Sequence, residues 1–191
     1  MLFSSCAQIS SFQTARTTPK EEGEFGASVD ITGVSDLFDT GESFGVPSIS
    51  LWGRYGVGEK TDLGFKISSL LNLMFDVKQQ IAGDQNSKFA FALGAGLGFF
   101  PAGKLVWQYH LPVYLSFHPS ERFAWYLTPR YINQYKVNYL GSSIGFMVGR
   151  KAKFAMELSL SQAMNDLDTQ DDLNLGASLF NIGWGIKVPI K

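Results

Sequence analysis

The sequence predicts an all-β chain: a single antiparallel, up-and-down transmembrane β-barrel of ten strands, with eight as the alternative count. Three observations carry this reading. Ten short stretches place apolar residues at every second position, the period of a strand whose two faces meet different surroundings. The connections between them alternate, with few exceptions, between tight and roomy. The second face of the stretches is built from Gly, Ala, Ser and isolated charges, which suits a crowded interior. One such segment is a weak signal, and its repetition over almost the whole chain is the strong one.

Composition agrees. The 191 residues accommodate one domain, because strands of about 10–12 residues with their turns use nearly all of them. Charged residues are 17% of the chain, against about 25% in a typical soluble domain. A large solvated surface needs more charge than this, and a lipid-facing one does not. The net charge of −1 gives no sign of nucleic acid, for which a basic face would be expected. No run of about 18 apolar residues is present, so no transmembrane helix is expected. Cys6 is the one cysteine, so no intramolecular disulfide forms.

Residues 7 to about 22 are polar, rich in Ser and Thr and without sustained period; they read as a tether or a segment packed at the barrel mouth. Strand one follows, with Phe25, Ala27, Val29 and Ile31 outward and Gly26, Ser28, Asp30 and Thr32 inward. Strand two, near 46–57, turns Ile49, Leu51 and Tyr55 outward and Trp52 and Arg54 inward. The stretch 62–81 decides the count. As one strand it would span roughly 65 Å at ~3.3 Å per residue, about twice what a tilted membrane strand needs. It is therefore broken at 68–70 into strand three, 62–68, and strand four, 71–81, with Asn72, Asp76 and Lys78 inward. Strand five, 88–99, alternates Phe89, Phe91, Leu93 and Leu97 with Ala90, Ala92, Gly94, Gly96 and Gly98. Strand six, 104–117, sets Leu105, Trp107, Tyr109 and Leu111 against Gln108, His110 and Tyr114. Strand seven, 123–134, exposes Phe123, Trp125 and Leu127 and turns Tyr126 and Arg130 in. Strands eight, 139–149, and nine, 153–163, expose Leu140, Ile144, Phe154 and Leu158, with Glu157 inward. Strand ten, 173–188, changes face near Leu179-Phe180, which predicts a bulge. With both ends of the barrel on the periplasmic side, the connections at 58–61, 82–87, 119–122 and 150–152 are short. The longest, 34–44 and 164–172, fall on the opposite side, as expected for this architecture.

A soluble, lipocalin-like barrel has the same alternation with its apolar face inside. Its outer face would be rich in Lys, Glu and Thr, and here the second face is Gly, Ala and Ser. The apolar face also carries Tyr55, Phe99, Trp107, Phe117, Phe123, Tyr131 and Trp184, assigned to interfacial girdles.

The lumen so defined holds Asp30, Arg54, Lys66, Asp76, Lys78, His110, Arg130, Glu157 and Lys187. Both signs are present, so a network of buried ion pairs is the first expectation and a narrow polar path the second. His110 is the histidine expected inside a strand, with His118 at a turn. Hydrolysis by His110 would need Ser or Asp within hydrogen-bond reach at the outer rim. No G-x-S-x-G, H-E-x-x-H or phosphate-cradling loop is present, and no catalytic, cofactor or metal site is expected in the lumen. The roomy connections are acidic: Asp36, Asp39 and Glu42 in one, Asp166, Asp168, Asp171 and Asp172 in the other. Oxygen-only clusters suit Ca²⁺ or Mg²⁺, including ions bridging lipopolysaccharide phosphates, while solvated loop charge is the simpler reading.

Over roughly residues 23–190 the pattern resembles small bacterial outer-membrane β-barrels. That resemblance implies an outer-membrane location, lipid and lipopolysaccharide as surroundings, and an envelope protein as partner. Leu2-Phe3-Ser4-Ser5-Cys6-Ala7 resembles the end of a lipoprotein signal peptide, with Phe3 where that family usually has Leu and without the basic region. It implies lipidation of Cys6 and divides the chain into a signal remnant with flexible tether, 1–22, and the barrel, 23–191. The end Gly185-Ile186-Lys187-Val188-Pro189-Ile190 is similar to the terminal assembly signal of such barrels, without its final aromatic residue. Three functional classes stay open: a structural or accessory envelope component, a narrow channel, and a lipid-modifying or proteolytic enzyme.

Overall fold

The computed structural model describes residues 10–35, 44–69, 72–101, 105–134, 137–164 and 178–190. In chain order the strands are β1 Gly23–Ser35, β2 Phe44–Gly58, β3 Thr61–Ser68, β4 Leu73–Ala82, β5 Phe89–Pro101, β6 Leu105–Ser120, β7 Phe123–Gln134, β8 Val137–Gly149, β9 Lys153–Ala163 and β10 Ser178–Ile190. Each pairs with its chain neighbours, and β1 pairs with β10, closing a ten-stranded barrel. Closure is antiparallel and uninterrupted from Gly23 opposite Ile190 to Ser35 opposite Ser178. The expected break in the 62–81 stretch is present: Ile67 of β3 lies opposite Leu73 of β4.

The two faces of the wall differ as the alternation requires. On β9, Leu158 is 48% exposed on the outside, whereas its neighbour Glu157 is 0% exposed inside. Phe75, Leu97, Leu111, Ile144 and Ile186 share the outer face with Leu158, and the inner face carries Arg54, Asp62, Lys66, Lys78, Arg130 and Glu157. Charges inside and hydrocarbon outside is the arrangement of a membrane barrel, and among the described residues no helix is long and apolar enough to cross a membrane.

The tight connections between β2 and β3, β4 and β5, β6 and β7, and β8 and β9 gather at one end, the turn end. The stretches 36–43 and 165–177 join strands at the other, the loop end. The three register shifts among the described residues, at Gly56/Gly58, Gln80/Ala82 and Phe117/Ser120, sit beside the turn end. Aromatic side chains cluster there on the outer wall, with Phe89 stacked on Phe117 at 4.6 Å and Phe123 edge-on to Trp125 at 5.4 Å. Phe99 and Trp107 meet toward the loop end at 5.8 Å. Trp184, assigned from sequence to a girdle, instead sits at mid-strand opposite Val29.

The structure departs from the sequence expectations at three further places. No bulge interrupts β10 within its described residues, because Leu179 points inward, against Ile132, Val137 and Tyr139. Two successive apolar residues thus mark an apolar patch inside the loop end rather than a change of face. His118 is not in a turn but within β6, buried on the lumen side. The largest difference concerns the N-terminal segment. Residues 10–18 lie inside the lumen, with Phe12, Ala15, Thr17 and Thr18 buried, rather than as a flexible tether or at the mouth.

Candidate functional site

The site is the lumen together with the segment that fills it. From Ser10, at the level of Lys66, the chain descends along the barrel to Pro19 at the turn end, reverses at Glu21 (φ 63°) and enters β1. Only at the reversal does it touch the sheet as a strand would, through a parallel bridge between Lys20 and Gly56. Elsewhere its backbone groups are buried and have no ladder to join, so side chains must satisfy them.

The lumen charges do this in alternation. Lys66 Nζ donates to Ser10 O at 2.8 Å and to Ser10 Oγ at 3.0 Å. Glu157 accepts from Ser11 N at 2.8 Å and from Phe12 N at 2.7 Å. Lys78 Nζ donates to Thr14 O at 3.1 Å and to Arg16 O at 3.0 Å. Ser116 Oγ accepts from Ala15 N at 3.1 Å, Gln80 Oε1 from Thr17 N at 3.1 Å, and Asp62 Oδ2 from Thr18 N at 2.7 Å. Carboxylates and neutral oxygens cap the segment's N–H groups, and lysines and the Gln85 amide cap its carbonyls. Two apolar side chains add packing: Phe12 against Trp52, Tyr126, Met147 and Ala155, and Ala15 against Ala90, Ala92 and Tyr114. Phe12 fits because residues 183 and 185 are glycine. A Cβ at Gly183 would lie 2.7 Å from the Phe12 ring, and one at Gly185 3.2 Å from it.

The same charges pair with one another. Arg54 donates to Asp62 Oδ1 through Nε at 2.9 Å and Nη2 at 2.6 Å, and its Nη2 lies 2.6 Å from Asp76. Lys78 stands 3.4 Å from Asp62. Across the barrel, Arg130 lies 3.7 Å from Glu157 and donates to Ser143 Oγ, while Tyr126 OH donates to Glu157 at 2.9 Å. Lys187 pairs with Glu24 at 2.7 Å. The lumen set read from sequence thus joins into two buried clusters, Arg54–Asp76–Lys78 around Asp62 and Arg130–Glu157, plus Lys187 near the turn end. Lys66 binds the segment. Asp30 takes no ion pair among the described residues and accepts from Ser28 Oγ at 3.1 Å. His110 faces the space beside Ser10 and Arg130. Cys6, Asp166, Asp168, Asp171 and Asp172 lie outside the described residues.

Asp62 and Glu24 are the network members the sequence reading passed over. Both sit at strand ends, yet both share the inward parity of Lys66 and Asp30, which is the signal that marks them. The other omission is chemical. Ser116 Oγ and His118 Nε2 are 2.9 Å apart, the spacing of a nucleophile and its base. Ser116 Oγ also accepts from Ala15 N, so the pair anchors the segment to β6. No group of three or more metal-ligating side chains occurs among the described residues. Beside the segment, at the level of Arg54, Lys66 and Arg130, the space left is a cavity of about 30 Å³, room for a water or two.

No protein-family model matches the sequence, and comparison with curated proteins finds no match. Among solved structures the fold is similar to the NanC porin, with TM-score 0.52 and 12% identity over 85% of this chain and 98% of that one. It is similar also to the outer membrane protease OmpT from Escherichia coli, with TM-score 0.49 and 12% identity over 94% of this chain and 100% of that one. An outer membrane channel from Pseudomonas putida F1 gives TM-score 0.49 and 11% identity over 92% and 98% of the two chains. The fold is that of bacterial outer-membrane β-barrels, and the apolar outer wall places the chain in that membrane.

Proposed function

We propose that this outer-membrane barrel is a structural or accessory component of the envelope whose lumen is closed by its own N-terminal segment. The observation that carries the reading is the buried course of residues 10–18, with backbone donors and acceptors taken up by Lys66, Glu157, Lys78, Ser116, Gln80 and Asp62. A barrel built to pass solute steadily would not spend its lumen charges on its own backbone. The working surfaces are then the lipid-facing wall, in contact with lipid and lipopolysaccharide, and the loop end, where an envelope partner would bind.

A second reading has one observation in its favour. The segment is held by side chains and not by sheet pairing, save for the single bridge at Lys20, so it can leave without breaking the wall. The barrel would then be a gated narrow channel. Planar-bilayer recording separates the two. An electrically silent full chain, with conductance only after residues 10–18 are deleted, supports the closed component. Steady or voltage-triggered conductance in the full chain replaces it with the gated channel.

A further inference from the structure

At the turn end the lumen opens into a recess of about 190 Å³ between the N-terminal segment and the wall. Arg16 from the segment, Arg150 and Lys151 from the β8–β9 turn, and Lys153 and Lys187 from β9 and β10 line it, with His118 beneath. The acids on its rim are Glu22 and Glu24. Of these groups only Lys187 and Glu24 form an ion pair among the described residues, at 2.7 Å. Arg16, Arg150, Lys151 and Lys153 have no carboxylate within 4.0 Å there.

Two details make this more than a scatter of surface charge. Lys153 and Lys187 are direct cross-strand partners on the same inward face, an arrangement that repels unless an anion lies between or beside the pair. Glu24 closes its ion pair with Lys187 and attracts Lys153 without contacting it, so one carboxylate serves two ammonium groups. Arg16 spends Nη2 on Ser87 O at 2.7 Å, while its enclosed Nε has no acceptor among the described residues. A forked guanidinium donor beside clustered ammonium groups suits a multivalent oxyanion.

We propose that this recess binds a small soluble oxyanion of the phosphate class, which bridges Arg16 of the segment to Lys153 and Arg150 of the wall. Phosphate groups come from soluble solutes or from phospholipid headgroups. Lys153 and Lys187 point into the barrel and not toward the lipid, so the anion arrives along the barrel axis from the aqueous side.

The full chain, reconstituted in phosphatidylcholine nanodiscs, is titrated calorimetrically with inorganic pyrophosphate. Wild type binds at a single site, and Lys153→Gln and Arg150→Gln each bind roughly tenfold more weakly, the loss of one charge-assisted contact. Lys60→Gln, on the β2–β3 turn, binds as wild type. Lys153→Gln removes a like-charge pair, so without pyrophosphate its heat-modifiable band melts at a temperature no lower than wild type; this verifies folding independently of binding. Unchanged affinity in Lys153→Gln, or equal weakening by Lys60→Gln, overturns the site in favour of diffuse surface charge. Persistence of binding in phosphatidylglycerol nanodiscs supports the soluble source, and its loss there assigns the recess to lipid headgroups and overturns that source.

Discussion

Replacing Glu157 by Gln is the sharpest perturbation of the closed lumen, because one carboxylate holds the segment, a tyrosine and an arginine together. Its Oε1 accepts from Ser11 N and its Oε2 from Phe12 N and Tyr126 OH, at 2.8, 2.7 and 2.9 Å. An amide keeps one oxygen, so one of the two backbone N–H groups must face an NH₂ that cannot accept. Arg130, 3.7 Å away and buried, also loses its countercharge. Removing one partner of a buried pair costs about 3–5 kcal/mol. The strand ladders on either side of Glu157 use backbone groups that the substitution does not touch, so the cost falls mainly on seating the segment. That corresponds to roughly 100- to 5000-fold more time with the segment undocked. Residue-resolved hydrogen exchange on the reconstituted protein reads this directly. The amides of Ser11 and Phe12 should exchange faster by about that factor, while the Trp184 amide in β10 keeps its protection. Unchanged protection at Ser11 and Phe12 would refute the claim that Glu157 docks the segment. Equal loss at Trp184 would show that segment and wall open as one unit.

Four further outcomes are expected. Leu158→Arg, at mid-height on the outer wall, should destabilise the barrel by about 2–4 kcal/mol, and Leu63→Arg near the turn end by about 0–1, measured by urea titration in lipid vesicles; equal costs would mean the membrane does not sit at that height. Arg54→Met leaves Asp62 and Asp76 without their guanidinium and should cost about 3–5 kcal/mol in the same titration, with recovery when Asp76→Asn is added; an additive double variant would contradict the shared pairing. Asp84, in the β4–β5 turn, accepts from the N–H groups of Asn86 and Ser87 and is thereby held below the ordinary carboxylate range. A depressed carboxylate contributes its stability above its unfolded-state pKa and loses it as pH falls, so this turn should loosen on acidification; a ¹³C titration of Asp84 at the ordinary value would reject the arrangement. Labelling intact cells with an alkynyl fatty acid tests acylation at Cys6: Cys6→Ser should abolish the signal, and a persistent signal places the lipid elsewhere.

The wall was legible because its rules are local. Alternation fixes which side chain faces which way, and the length of the 62–81 stretch forces a hairpin there. Inward parity therefore picked out Arg54, Asp76, Lys78, Arg130 and Glu157 before their partners were known. It is weakest at strand ends, where alternation flanks Glu24 and Asp62 on one side only, and at His118, next to the expected 119–122 turn although β6 continues to Ser120. The N-terminal segment had no comparable signature. Its backbone partners come from β3, β4, β6 and β9, so its own sequence needs no period, only small polar residues and one ring at Phe12. The complementary mark lies far along the chain, in Gly183 and Gly185, whose missing side chains are the space that the ring occupies.

The bond between Ser11 N and Glu157 joins residues 146 positions apart. The segment is translated before every strand of the wall, yet the cradle that holds it is complete only when β9 and β10 have been made and β10 has met β1. Until then Lys66, Lys78 and Glu157 lack both their backbone partners and a dry interior, and the segment is a polar strand with nothing to bind. Contacts of such long sequence separation form late and slowly. The assembly order is therefore the reverse of the order of synthesis: a segment made before the wall finds its place after it.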